Sequence, residues 1–237
     1  MKVNALRTDV FAEKENLPAF IVRFLPTVPE NAVLAVSSKV IALWKGCTLA
    51  YESPAQKEAL IKQHSQAALQ TPLAWLTIKD GMVMTNAGID ESNAQGKLIF
   101  LPDCYACAWE LREDLKKAWH VQNLGVVVTD SMILPLRAGV IAAAVGYAGF
   151  EGVKDLRGTT DIFGRKLKTT LVDVADSLAT AAALVMGEAD ERQPLCLIEN
   201  APVVFTDKMD RDELKYPPEN DLYTPLLEAV KLTQKEK

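Results

Sequence analysis

The sequence predicts an α+β protein, and three features of its pattern carry that expectation. Compact apolar runs, such as "AVLAV" near residue 34 and "GVVV" near residue 127, have the length and composition of buried strands. Three longer stretches, 53–69, 103–119 and 171–189, repeat their apolar residues at helical spacing. No internal repeat, low-complexity tract or linker separates them, so one interwoven unit is expected rather than two separable domains.

In chain order, 31–46 ("NAVLAVSSKVIALWKG") starts as a strand and meets Ser37 and Ser38, a serine pair suited to capping a short helix. The stretch 53–69 reads as an amphipathic helix opened by Ser53 and Pro54. "AWLTIKDGMVMTNAG" reads as a hairpin turning at Asp80-Gly81. The 103–119 helix has Asp103 as N-cap, Ala108, Leu111, Leu115 and Ala118 on one face, and Lys116 and Lys117 at its negative end. "LGVVVTDS" is a strand expected to end on Asp130. The small-residue stretch 135–170 reads as short strands and turns. In 171–189, Val172, Ala175, Leu178 and Ala182 share a helix face, and "PLCLIENAPVVF" returns to strand. Residues 1–207 are taken as the domain. The charged tail 208–237 holds too little apolar surface for core burial and is expected to be less ordered.

Composition narrows the function. The chain has 237 residues, 49% hydrophobic and 24% charged, with a formal net charge of −5, so it builds a core of ordinary size. Without a block of Lys and Arg it is not expected to bind nucleic acid. The start "MKVNALRTDV" lacks a signal-peptide apolar region, and the longest apolar run, 139–150, is shorter than the ~20 residues of a bilayer span. A cytoplasmic protein with no membrane partner is expected. Cys104 and Cys107 form "CYAC" with no second pair or nearby histidine to complete a zinc site, and are read as small buried apolar residues, with redox chemistry as the alternative. His64 and His120 lie beside helical patterns with no catalytic partner motif.

Three acids stand where chain elements end. Asp90 lies in the polar run "TNAGIDESNAQG", Asp130 follows an apolar strand and precedes Ser131, and Glu188 follows the last helix. Carboxylates beside hydroxyls at such positions suit hard divalent cations, which neutralise phosphate charge. Each also has a simpler role: an Asx-turn for Asp90, a cap for Asp130, a solvated helix end for Glu188. Neither a Walker loop nor GxGxxG occurs, which excludes those two modes of holding a nucleotide.

The ordered series "SSKVIALWKG", "NAGIDESNAQG", "VVVTDSMILPLRAG", "DLRGTTDIFGRKLKTT" and "VADSLATAAALVMGEADERQP" resembles the coenzyme F420-0:L-glutamate ligase (F420-0:gamma-glutamyl ligase) family and its bacterial relatives. The resemblance implies an unusual α+β fold forming an intertwined homodimer. It also implies a GTP-dependent ligase, active with two Mg2+ or Mn2+ ions and with K+ as a further candidate, that joins L-glutamate to a small-molecule carboxylate acceptor through an amide bond. By the same resemblance Asp90 and Asp130 correspond to ligands of one ion. Ser131, where relatives carry Thr, and Glu188, where relatives often carry Gln, correspond to ligands of the second. Asn93 corresponds to a guanine-nucleotide contact. The stretch Met186, Gly187, Glu188, Ala189, Asp190, Glu191, Arg192, Gln193 corresponds to a nucleotide-binding segment.

The departures bear on specificity. Of the family pattern SKxVSKxEG, Ser37, Ser38 and Lys39 survive, but Ala42-Leu43 replaces the second Ser-Lys and Lys45 replaces the acid. A lysine expected to touch nucleotide phosphate is therefore absent. "MILPLR" stands for the usual "GRPWR", keeping Pro135 and Arg137. Arg137, Arg157 and Lys39 are candidates for stabilising the anionic substrates. The leading expectation is an acyl-phosphate ligase acting on F420-0. The alternatives are glutamylation of a folate or other pterin-like acid, and a nucleotide-binding protein that has lost catalysis.

Overall fold

The computed structural model describes residues 1–229. Its elements are β1 (Lys2–Leu6), α1 (Leu17–Phe24), β2 (Ala32–Ser37), α2 (Ser38–Trp44), β3 (Thr48–Ala50), α3 (Pro54–His64), β4 (Ala67–Gln70), β5 (Trp75–Lys79) and β6 (Met82–Thr85). They continue with β7 (Lys97–Ile99), α4 (Cys104–Trp119), β8 (Leu124–Ile133), β9 (Val140–Ala148), β10 (Val153–Asp155), β11 (Leu171–Asp173), α5 (Val174–Met186), β12 (Leu195–Glu199) and α6 (Thr224–Ala229). The α+β expectation holds.

A mixed five-stranded sheet in the order β1-β12-β2-β8-β9 organises the chain. Only β2 and β8 run parallel; the other neighbours are antiparallel. Because strand side chains alternate between faces, Leu34, Val36, Val126 and Val128 face one core with α1 and α4. Val33, Ala35, Val127, Cys196 and Ile198 face another, covered by α5. The sheet is thus apolar on both faces, which is why these strands read as continuous rather than alternating apolar runs.

Capping follows the sequence at several helices. Asp103 Oδ1 accepts the Ala106 N–H at 3.0 Å to open α4, and Ser53 Oγ accepts the Gln56 N–H at 3.2 Å to open α3. The β5–β6 hairpin turns at Asp80-Gly81, both with left-handed backbone (φ 53° and 83°), as a type I′ turn requires.

Four boundaries differ from expectation. The 53–69 helix stops at His64, and Ala67–Gln70 pairs with β5 instead. Residues 171–173 pair with β10, so Val172 is exposed strand; Asp173 then caps α5 by accepting the Asp176 N–H at 2.9 Å. The run 140–148 is one nine-residue strand, not several short pieces. Its alanines and glycine allow α4 and α5 to approach from both sides. A methyl placed on Gly146 would stand 2.4 Å from the Cys104 carbonyl carbon, so Gly146→Ala is expected to lower the unfolding free energy by about 2 kcal/mol, measured by urea denaturation. Lastly, β8 runs on to Ile133, pairing Ile133 with Val140, so Asp130 lies inside a strand rather than after one.

Cys104 and Cys107 are free and buried, and both thiols are pushed up by burial, Cys107 to about 11. They are core residues rather than nucleophiles. His120 is exposed at the left-handed C-cap of α4, and His64 packs against Phe100. No helix among the described residues is long and apolar enough to cross a membrane.

The charged tail begins firmly docked. Asp207 Oδ1 accepts from the buried Arg112 Nη2 at 2.6 Å. Glu213 accepts from the Tyr147 hydroxyl at 2.5 Å and from the Gly152 N–H at 2.8 Å. Charge pairing with the body, together with Leu214 packed against the α5-side core, holds this segment. Residues 230–237 of the tail lie outside the described residues.

Asp176, near the start of α5, carries a pH consequence. Burial pushes its carboxyl up, the Ala144 N–H (2.8 Å) opposes this, and the Asp173 charge adds to the rise. Tyr105 of α4 and Arg211 of the tail face the same space. A carboxyl that holds its proton more tightly when folded contributes stability that is full below pH ~4 and is lost as pH rises through the folded value. Asp176→Asn keeps an acceptor for Ala144 and should remove this decline, read from denaturation midpoints between acid and neutral pH.

Candidate functional site

Parallel pairing of β2 with β8 sets Ser37 opposite Thr129, so Ser38, the first residue past β2, stands level with Asp130, which is still paired with β9. Ser37 stands at the N-cap of α2 but makes no side-chain cap bond; its N–H donates to the Pro194 carbonyl at 2.9 Å. The Ser38 hydroxyl donates to Asp130 Oδ1 at 2.7 Å. The serine pair therefore serves the site more than the helix.

The run 85–96 is held by a series of local hydrogen bonds. Asn86, Ala87 and Gly88 all have left-handed backbone (φ 53°, 53° and 70°). The strained Ala87 is fixed by its N–H donating to Thr77 Oγ at 2.8 Å. Gly88 is required twice over: besides its positive φ, a methyl there would lie 2.5 Å from Leu101 and 3.7 Å from Asp130 Oδ2. Asp90 exchanges backbone hydrogen bonds with Ile99 at 3.0 and 2.8 Å, locking the loop to β7.

This places the Asp90 carboxylate in a dense network. Oδ1 accepts the N–H groups of Glu91 and Ser92 at 2.7 and 2.9 Å, an Asx-turn, and Oδ2 accepts the Ser92 hydroxyl at 2.7 Å. Lys39 Nζ lies 2.7 Å from Oδ2 and 2.5 Å from Ser92 Oγ. Burial acts to raise the Asp90 carboxyl, but Lys39 and Ser92 outweigh it and hold it down at about 2. Asp130 is pushed the other way, to about 6, by burial; the Asp90 charge adds to the rise, while Ser38 and Lys39 oppose it. Two neighbouring carboxyls driven apart in this way mark a functional candidate.

The remaining candidates divide by face. Adjacent strand residues point to opposite sides, and Ser131 donates to Glu188 Oε2 at 2.8 Å beyond α5, away from the Ser38–Asp130 contact. Asn93 Nδ2 reaches the Ala189 carbonyl at 3.4 Å and links the loop to the segment after α5. That segment folds back on itself: Gln193 Nε2 donates to the Met186 carbonyl at 3.3 Å, and Glu191 accepts the Ala189 N–H at 2.8 Å. The Arg192 carbonyl accepts from Thr8 N–H at 2.9 Å; Gly187, Glu188 and Asp190 are exposed. Arg137 is exposed between β8 and β9, and Arg157 clamps Asp155 through contacts of 2.6–3.0 Å. Among the described residues no contact joins either arginine to Asp90 or Asp130. Leu43 is half-buried and packs against two apolar clusters.

The sequence reading missed Ser92, which saturates Asp90, and the direct bond from Ser38 to Asp130. The "DES" spacing of an Asx-turn was the available signal for the first; the second depends on strand register alone.

The donors suit a hard divalent cation in kind, being carboxylate and hydroxyl oxygens. Asp90 and Asp130 would hold one ion, beside the Lys39 ammonium, and Ser131 and Glu188 would hold a second. Among the described residues, no three His, Cys, Asp or Glu side chains converge as a metal cluster.

The end of β2, β8 and the 85–96 loop together bring two carboxyls, two hydroxyls and a lysine close to one another. The chain belongs to the F420-0:gamma-glutamyl ligase family, whose model matches residues 5–200. It is similar to proteins named coenzyme F420:L-glutamate ligase. That of Methanococcus maripaludis strain C7 is 41% identical over 138 residues, 58% of this chain and 55% of the relative. The Methanocaldococcus jannaschii protein is 39% identical over 146 residues, 61% of this chain and 58% of the relative. The Methanopyrus kandleri protein is 47% identical over 119 residues, 49% of this chain and 47% of the relative. The chain thus spans about half the length of the curated relatives it matches. All three are archaeal, so the expectation of a bacterial relative draws no support from them.

Proposed function

We propose that this chain is a cytoplasmic ligase that joins L-glutamate to a carboxylate acceptor, coenzyme F420-0, using GTP. The observation that carries this reading is the enclosed Asp130 carboxyl bonded to Ser38 beside the Asp90–Lys39–Ser92 network, in a chain of this family. An acceptor carboxylate oxygen attacks the γ-phosphorus of GTP, the bond to GDP breaks, and an acyl phosphate forms. The deprotonated amine of glutamate then attacks the acyl carbon, phosphate leaves, and an amide remains.

Asn93 and the segment 186–193 hold the nucleotide; Ser37, Ser38 and Lys39 face its phosphates. Asp90 and Asp130, with Ser131 and Glu188, hold two Mg2+ or Mn2+ ions, which when bound neutralise phosphoryl charge. Lys39 adds fixed positive charge at the same place, and Arg137 and Arg157 meet substrate carboxylates. The working form is a homodimer, and exposed Leu136, Ile162 and Phe163 are apolar surface available for it.

Phosphate release from GTP should require Mn2+, F420-0 and L-glutamate together, and omission of any one should return the rate to background. Turnover with folate in place of F420-0 would reassign the acceptor; nucleotide binding without release under any combination would overturn the ligase reading. A monomeric mass in sedimentation would remove the dimer.

A further inference from the structure

A cavity of about 530 Å3 lies at the free edge of β9, bounded by the β5–β6 turn, the starts of α4 and α5, the end of β8 and the tail. Its volume is in the range of roughly 300–1,000 Å3 that suits cofactor-sized ligands. Met82, Met84, Met132, Leu101 and Leu214 line it with the Tyr105 ring. Thioethers are polarizable and adapt to the faces of aromatic rings.

The charged part of the wall is three cations, Lys79, Arg211 and Lys215, and four acids, Asp80, Asp103, Asp173 and Asp176. Each cation pairs with an acid, Asp80 at 3.0 Å, Asp103 at 2.7 Å and Asp212 at 2.6 Å, and those acids are 79%, 50% and 78% exposed. Ion pairs that open to solvent contribute little, so an entering anion can exchange for them. Asp176, whose carboxyl burial pushes up, offers a proton donor on the α5 side.

The cavity lies beside the acid cluster, with Leu101 between them. Met132 stands two residues beyond Asp130 and so on the same side of β8. Leu101 in the cavity wall fills the space that Gly88 leaves beside Asp130. The wall formed by Arg211, Leu214 and Lys215 lies beyond the family match, which ends at residue 200.

We propose that this cavity binds the acceptor, an anionic molecule with a flat aromatic body. Its ring lies among the methionines and Tyr105, its anionic group on Arg211 and Lys215, and its reacting carboxylate points along β8 toward Asp130. The docked tail is then the specificity-determining wall. This assignment rests on the ligase reading for the acceptor's identity, but not for the cavity's chemistry.

The test is equilibrium dialysis of the full chain with two probes, coenzyme F420-0 and riboflavin 5′-phosphate, comparing wild type with Leu214→Trp, which fills the cavity, and Arg211→Glu, an exposed position that leaves the core untouched. Both variants should weaken F420-0 binding by about tenfold or more, the scale of one lost charge-assisted contact, while GTP binding in Mn2+ stays unchanged. Asp130→Asn should keep F420-0 binding while losing turnover. If F420-0 fails to bind but riboflavin 5′-phosphate binds and both variants weaken it, the cavity assignment stands and the F420-0 reading falls. Equal binding by wild type and both variants, or no binding of either probe by wild type, overturns the cavity assignment.

Discussion

Replacing Asp130 by Asn is expected to lower Mn2+-dependent turnover by about a hundred- to thousandfold, the scale seen when one preorganised electrostatic group is lost from an active site. Asp90→Asn should do the same, although Asp90 lies 40 residues away in sequence, on the loop clasped to β7 rather than on β8. The structure makes the two carboxyls neighbours: the Asp90 charge helps to raise Asp130, and Lys39 acts on both. If they hold one ion, the double variant should be scarcely slower than either single one, because groups serving one function are non-additive. If they serve only as a turn and a strand residue, each change should cost about 1 kcal/mol or less, independently, with Mn2+ binding intact. Calorimetric titration of Mn2+ into the three variants decides, and wild-type affinity in either single variant would remove the metal assignment.

Arg112→Ala should be the most destabilising of the substitutions considered, at about 3 kcal/mol. The Arg112 side chain is 2% exposed, and its Nε donates to the Leu124 carbonyl at 2.6 Å. Truncation leaves that buried carbonyl without its partner and opens a cavity between α4 and the sheet. The ion pairs to Glu113 and Asp207 add less, since those acids are 38% and 75% exposed. Loss of the Asp207 contact should nevertheless loosen the docked tail, so proteolysis near residue 207 should quicken along with the fall in urea midpoint. An unchanged cleavage rate would show that the Arg112–Asp207 pair does not anchor the segment.

How much of this was legible in the sequence varies with the range of the interaction. The β5–β6 hairpin, the Asp103 cap and most of the helical face of α4 were readable because each depends on residues within a few positions of one another; Ala118, expected on that face, is exposed, and Trp119 is buried instead. The α+β class followed from patterns of the same kind. The boundary errors share one cause. Residues 67–70, 131–133 and 171–173 became strand because partners β5, β9 and β10 were available to pair with them, which no local pattern announces.

The sequence named the candidate site as a set of residue types, not as a geometry. Asp90, Asp130, Ser131 and Glu188 stand out as acids and hydroxyls at the ends of apolar runs, a one-dimensional signal strengthened by resemblance to a family. That Ser38 bonds Asp130 while Ser131 turns to Glu188 was decided by the register of β2 on β8 and by the alternation of side chains along β8. Local chemistry thus determined which residues were available, since caps, turns and apolar faces arise from near neighbours. The tertiary structure alone decided which of them meet, because strand pairing and the docking of residues 207–215 join groups far apart in the chain, where sequence distance carries no information about proximity.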